Sequence, residues 1–456
     1  MTRVLIPTGA LGLGWDQAAL DRGIANGPDL IAIDGGSTDS GPSYLGRGVS
    51  KYARASTKRE WGLLIDAQRQ AGVPLVIGTA GTCGAGSAVD WLLDITQEIL
   101  AETGQSARIA VLKSDQPAAR VKAALANGRV TPLSPAPDIS DAVLDSCTNI
   151  VALAGAEQIN AALATGADIV IAGRTTDTAI IAALPLANGN HAGGAWHGAK
   201  IGECGALCAT HPQSGVLQID FDATGFTVTP LADLARATPH TVSAHMLYEN
   251  ADPFILHEPG GHLDVTGAIY TALDDRSSVR VEGSEWVPSD RYTVKLEGAR
   301  SAGFQTVVMA LVRDRHYVTH VDAWCRSIET AFRAKAQDRL GLGPNDYRLE
   351  LRVIGRDATM GPLETATATA TATEVGVMGL VTANTAARAN ELGKMLNPYL
   401  LHHPLTPEEE VPTFAFPFSP AEIDRGEIFE FCLNHVMTLD SPMDAFDLHV
   451  HEVDHG

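Results

Sequence analysis

The sequence predicts an α/β protein, with an N-terminal, mostly parallel sheet flanked by helices and a C-terminal α+β domain. Two observations predict it. Over the first half, short β-branched runs alternate with longer amphipathic segments, the rhythm of βαβ units. Past residue 240 that rhythm gives way to successive strands with two long helices. The 456-residue length exceeds what one core usually serves, so a division into 1–240 and 241–456 is expected.

Taken in order, 3–7, 29–34, 73–78, 108–113, 149–154 and 168–172 are short apolar stretches that read as buried strands. Segments 51–71, 87–103, 117–126, 157–165 and 178–184 carry apolar residues at helical spacing. Glycine or proline punctuates nearly every junction, as turns and helix ends require. In the second half, 279–282, 292–297, 306–313, 347–354 and 427–433 are expected as strands, and 321–339 and 377–395 as helices. Between 365 and 373 threonine alternates with alanine. That suits a strand with one small apolar face, because threonine at every second position weakens a helix.

Composition narrows the function. An apolar share of 45% is ordinary for a globular chain. A formal charge of −21 argues against neutralising nucleic-acid phosphates or docking on anionic lipid, so neither nucleic acid nor membrane is an expected partner. No apolar run reaches the length of a membrane span. An anionic substrate would need a locally basic pocket. Cys83, Cys147, Cys204, Cys208, Cys325 and Cys432 show no framework spacing and follow no signal-like segment, so they are expected as reduced thiols in the cytoplasm.

In open α/β sheets, ligands bind where strands end, and several such points carry chemistry. Residues 166–178 run from a buried strand into Gly173 and Arg174, then a helix with Asp177 in its first turn. Arg174, beside Thr175, could grip a substrate carboxylate through its planar fork. The turn 78–86 precedes a helix and offers backbone N–H groups at Ala80, Gly81, Thr82 and Cys83 to an anion or oxyanion. It lacks the Gly-Lys-Ser/Thr of a nucleotide-hydrolysing loop, and Gly9, Gly12 and Gly14 miss the dinucleotide spacing. The loop 34–46 is longer than a plain connection needs, as active-site loops often are. In it, Asp34 and Asp39 suit acid/base work or oxygen ligation of a divalent ion, with Gly35 and Ser43 alongside. The bland reading is that such residues only satisfy turn backbone. No cofactor beyond that optional divalent metal is expected.

Glu203, wedged in a Gly-Glu-Cys-Gly turn, would be desolvated and its pKa raised. Cys83, near a helix N-terminus, and Cys204 could together support cofactor-free racemisation, although lone intracellular cysteines are more often small buried hydrophobes. Cys204 and Cys208 lack a second ligand pair for zinc. Neither His257, His262 and Asp264 around a Pro-Gly-Gly turn, nor His449, His451 and His455 near the end, match a standard metal spacing.

In chain order, Gly9–Asp16, the aspartate-rich loop, Ala80-Gly81, Gly166–Asp177, Glu203-Cys204-Gly205, Leu247-Tyr248-Glu249 with Asp252-Pro253, and Asn434-His435-Val436 resemble the acyclic terpene utilisation AtuA family. The resemblance implies an intracellular catabolic protein. The family's terpene members are tied to citronellol and geraniol breakdown, which handles branched, unsaturated acids and their CoA thioesters. Relatives carry a small extra C-terminal domain, which here would be a second subunit. This chain departs from the pattern with Thr79-Ala80-Gly81-Thr82-Cys83, where relatives show an Asn-Ala-Gly-Gly turn, and with a glycine-rich 257–262.

The expectation is a catabolic lyase or hydratase acting on a small branched or unsaturated carboxylic acid or its CoA thioester. Asp34, Asp177 or Glu203 would move the proton, and the chain would work as a homo-oligomer. The alternatives are a thiol-based isomerase or racemase, and a non-catalytic acyl-CoA-binding subunit.

Overall fold

A computed structural model gives the structure of the protein and describes residues 1–365 and 372–454. The central part of the threonine–alanine run and His455 lie outside the described residues. Two compact units result, Met1–Arg300 with Phe431–Gly456, and Ser301–Glu430.

The first unit begins with β1 (Thr2–Ile6), α1 (Gln17–Ala25), β2 (Leu30–Asp34), α2 (Pro42–Arg47), α3 (Arg54–Ala71) and β3 (Leu75–Gly78). There follow α4 (Gly86–Thr103), β4 (Ala107–Lys113), α5 (Ala118–Ala126), β5 (Val130–Pro132), α6 (Asp141–Ser146) and β6 (Cys147–Ala152). Then come α7 (Ala156–Leu163), β7 (Ile169–Ala172), α8 (Ala179–Ala187), α9 (Ala192–Gly202), β8 (Leu217–Phe221) and β9 (Gly225–Pro230).

Strands β1, β2, β3, β7 and β4 lie side by side and parallel, inside a ten-stranded sheet. Their apolar runs are nearly continuous because both faces are covered. Leu5, Ile31, Ile33, Ile77 and Ile171 pack with Trp61 and Leu64 of α3 and Leu92 of α4. The alternate residues Val4, Ala32, Val76 and Val170 pack with Ile159 of α7, Ile180 of α8 and Ile201 of α9. Period-two alternation thus sorts each strand between two helical layers.

Two expectations change here. The expected strand 149–154 forms as β6, but it pairs antiparallel with the long strand Tyr292–Val312 rather than joining the parallel sheet. The expected division at residue 240 falls inside the first unit. Strands β8, β9 and Val279–Glu282 extend the sheet antiparallel from the β1 edge, and this hydrogen bonding carries the unit well past 240.

In the second unit, Val375–Ala383 pairs antiparallel with Tyr347–Ile354 on one side and with Phe304–Val312 on the other. Helices Val321–Leu340 and Ala386–His402 cover this sheet through Trp324, Ile328, Phe332, Leu392 and Leu396. The helix expected over 377–395 is corrected. From 377 to 383 buried and half-buried residues alternate, as in a one-sided strand. The helix starts only after Thr385, whose hydroxyl accepts the Arg388 N–H at 3.2 Å. Expected strands 292–297 and 306–313 are one continuous strand. Among the described residues, no helix is long and apolar enough to cross a membrane.

Candidate active site

The carboxyl ends of β1, β2, β3 and β7 open on a cavity of about 640 Å³ within the first unit. Its wall includes Thr8, Gly9 and Leu13 after β1, Asp34, Ser37 and Asp39 after β2, Thr82 after β3 and Asp177 after β7. The end of α9 adds Glu203 and Cys204, and a following segment adds Tyr248 and Glu249. The cavity therefore lies where the strand-end rule expects a ligand.

The wall is acidic. Asp34, Asp39, Asp177, Glu203 and Glu249 face the space, and Lys51 is the lining cation among the described residues. Asp34 is 6% exposed; its Oδ1 accepts the Gly35 N–H at 2.8 Å. Burial, and then Asp177, push its pKa well above the usual carboxylate range, although Arg174 and backbone N–H groups pull it back. Burial also raises Asp177, with Arg174 opposing and Asp39 adding to the rise. The Asp177 charge thus disfavours ionisation of Asp34, beyond the cost of burial.

Arg174 anchors this arrangement from outside the cavity. Its Nε donates to Glu297 Oε2 at 3.0 Å and its Nη2 to Glu297 Oε1 at 3.4 Å. Nη1 reaches Thr79 Oγ1 at 3.1 Å, the Thr175 carbonyl at 3.0 Å and Asp177 Oδ1 at 3.2 Å. Nη2 also reaches Thr38 Oγ1 at 3.3 Å. The fork expected to grip a substrate carboxylate is thus fully engaged, and Arg174 touches the cavity through Asp177. Burial disfavours the guanidinium charge, but Glu297 and Asp177 outweigh it. Burial would raise Glu297, yet Arg174 and Lys295 hold its pKa down at about 2.

The β3–α4 turn is strained. Thr79 and Thr82 adopt φ of 47° and 76°, left-handed values that β-branched residues rarely take. Its amides are largely committed to backbone: Thr79 N–H to Gly173, Ala80 N–H to Ala172, Thr82 N–H to Gly35 and Gly84 N–H to Ala80. Of the four N–H groups expected to cradle an oxyanion, those of Ala80 and Thr82 are thus taken up by backbone carbonyls. At Gly84, φ is 64° and a Cβ would stand 2.1 Å from the Arg174 backbone nitrogen. Gly84→Ala is expected to cost about 3 kcal/mol or more, read as a lower denaturation midpoint at unchanged m-value.

Of the expected residues, Asp34, Asp39, Thr82, Asp177, Glu203 and Cys204 line the cavity, whereas Gly35, Ser43, Ala80, Gly81, Cys83, Arg174 and Thr175 do not. Gly35 gives its N–H to Gly78, and Ser43 lies on α2. Ala80, Cys83 and Thr175 are fully buried, and a Cβ on Gly81 would meet Ala88. Cys83 packs with Leu45, Ala85 and Val151, so it does not stand across a substrate from Cys204. Burial, then Glu203 and Asp177, push the Cys204 thiol up. A cysteine thiolate pair is therefore not assembled. His257 and His262 face each other across a hairpin, ring centroids 5.5 Å apart. His449 and His451 lie on the edge strand beside β4.

Sequence reasoning missed four groups. Lys200 is 3% exposed and its Nζ donates to Glu203 Oε1 at 2.5 Å and to the Tyr248 carbonyl at 2.8 Å. A single lysine in the Gly/Ala-rich helix α9, three residues before Glu203, was the available signal. Glu258 lies within the glycine-rich segment 257–262. It is buried, accepts from Thr178 at 2.5 Å, and has its pKa raised to about 7 by burial. His245 is 6% exposed and stacks on Tyr248 at 5.3 Å with rings 7° apart. Burial, and then Lys200, lower its pKa to about 4, so it is a neutral imidazole at neutral pH. Glu297 lies on a strand with nothing local to mark it.

Neither a curated protein nor a solved structure matches the chain. A family model described as "Acyclic terpene utilisation family protein AtuA" matches residues 63–413, most of the sequence, and takes in Thr82, Asp177, Glu203 and Cys204 of the cavity wall but not the loops after β1 and β2. That description ties the family to a catabolic role. On this match the chain belongs to the acyclic terpene utilisation AtuA family.

Proposed function

We propose that the cavity performs acid–base proton transfer next to a thioester carbonyl, adding or removing water across a carbon–carbon double bond in a short branched acyl chain. The observation that carries this reading is that Asp34 and Asp177 line one cavity at the strand ends, with burial raising the pKa of both. Two carboxyl groups whose ionisation is disfavoured to different degrees can serve one as base and the other as acid.

In the elimination direction, the ionised member takes the proton from the carbon beside the carbonyl. The C–H electrons form the double bond and the C–O bond at the next carbon breaks. The protonated member gives its proton to the departing hydroxyl, which leaves as water. Addition is the reverse. Leu13, Leu207, Tyr52 and Tyr248 offer apolar wall to a branched chain.

The acidic wall and the engaged Arg174 fork favour the thioester over the free acid. A thioester presents a neutral carbonyl to these carboxyl groups, whereas a free carboxylate would meet repulsion. A cavity of about 640 Å³ suits a small acyl group, with the bulk of a CoA carrier left outside. Melting curves with branched enoyl and 3-hydroxyacyl CoA thioesters, and with the matching free acids, test this choice. A ligand that binds only the native state must raise the melting temperature. Stabilisation by a thioester, followed by interconversion that differs by one water in mass spectra, supports the reading. Stabilisation by the free acids alone, or by no thioester, contradicts it.

A further inference from the structure

We propose that Glu203, Cys204 and His245 bind a divalent transition metal of the zinc class, with an open coordination position toward the cavity. Their ligand atoms, a carboxylate oxygen, a thiol sulfur and an imidazole nitrogen, lie within 4.8 Å of one another. No other group of three such ligands occurs among the described residues.

A second observation points to a ligand independently of that clustering. The Nε2 of His245 is buried without a hydrogen-bond partner among the described residues. Such an orphaned polar atom costs free energy unless something binds it. The stacked Tyr248 ring holds the imidazole plane in place. Lys200, by donating to Glu203 Oε1, fixes the carboxylate in the way second-shell partners of metal ligands do. Gly9 lets the first loop close on Cys204, since a Cβ there would stand 3.0 Å from the Cys204 backbone.

One sulfur, one nitrogen and one oxygen form a donor set for zinc, cobalt or ferrous iron, and are too soft and too few for calcium or magnesium. Three protein ligands with a free fourth position characterise catalytic rather than structural zinc sites. Glu203 and Cys204 line the cavity, so that free position faces substrate. Binding displaces the thiol proton of Cys204 to solvent and leaves a metal–thiolate bond. The divalent charge also offsets the crowding of Glu203, Asp177 and Glu249. The site differs from the oxygen-only one expected at Asp34 and Asp39. If the hydration reading also holds, the metal stands where it could polarise the thioester carbonyl, but its binding does not depend on that reaction.

The test uses the full chain, freed of metal by a chelator and titrated with Co²⁺ without substrate. The expected result is one cobalt per chain, with a thiolate-to-cobalt charge-transfer band in the near ultraviolet. Cys204→Ser removes the band and Cys208→Ala keeps it. His245→Gln, kept as the milder change beside His245→Ala, weakens binding by about 10-fold or more while the circular dichroism stays that of the wild type. Absence of the band, its persistence in Cys204→Ser, or unchanged affinity in a folded His245 variant overturns the proposal. Cobalt bound without any water addition would count against the hydration reading alone. Turnover by the chelated protein together with absence of the band would count against the metal alone.

Discussion

Replacing Glu297 with glutamine is expected to cost about 3–5 kcal/mol, because it leaves the Arg174 guanidinium charged and buried without its counter-ion. Both side chains are 7% exposed and the pair is bidentate. Thr38 and Lys295 also lean on Glu297, at 2.9 and 3.2 Å. Chemical denaturation of the two proteins at neutral pH measures the difference. Its pH dependence has a defined sign. The folded-state pKa of Glu297, about 2, lies below its ordinary 4.5. Its contribution is therefore full above 4.5 and is lost as the pH falls toward about 2. Above 4.5 the wild type should lead the variant by the full amount, and the two should converge on acidification. A double variant, Arg174→Met with Glu297→Leu, should recover much of the loss, since removing both charges removes the unpaired one. If the glutamine variant matched the wild type, the ion pair would not be what holds Asp177 at the cavity.

Asp34→Asn should behave in the opposite way. Turnover should fall by about 10²–10⁴-fold, the usual size of a lost acid–base group, while the protein becomes more stable near neutral pH. A carboxyl whose folded pKa is raised contributes stability that is full below its unfolded value and is lost as the pH rises through the folded value. Above the ordinary carboxylate range, holding Asp34 buried beside Asp177 therefore works against folding. Asparagine keeps an oxygen for the Gly35 N–H and carries no charge. A melting temperature above that of the wild type at pH 8, together with lost turnover, is the signature of a group kept for chemistry rather than for folding. A variant that is both less stable and still active would assign Asp34 a structural role.

The layering of the parallel sheet was legible because residues 30–33, 75–78 and 169–172 carry no polar side chain, the pattern of strands covered on both faces. The same signal cannot report pairing partners, and β6 shows the limit: an apolar run of similar quality belongs beside a strand some 150 residues away in sequence, with Leu296 opposite Ala152. At 375–383 the glycines and methionine blurred a one-sided strand into a helical reading. The cavity wall was legible at the strand ends, at Asp34 and Asp177, and in the Gly-Glu-Cys-Gly turn that closes α9, at Glu203. It was misread at Arg174 because the partner that occupies the guanidinium, Glu297, is 123 residues away. His245 likewise becomes interesting only when the fold brings it beside Glu203 and Cys204.

Solvent hydrogen exchange tests the central claim most directly. The protein is incubated in deuterium oxide with a branched 3-hydroxyacyl CoA thioester, and deuterium at the carbon beside the carbonyl is read by mass spectrometry. The account predicts incorporation by the wild type and none above background by Asp34→Asn. No incorporation by a wild type shown to bind the thioester, or equal incorporation by both proteins, would contradict it.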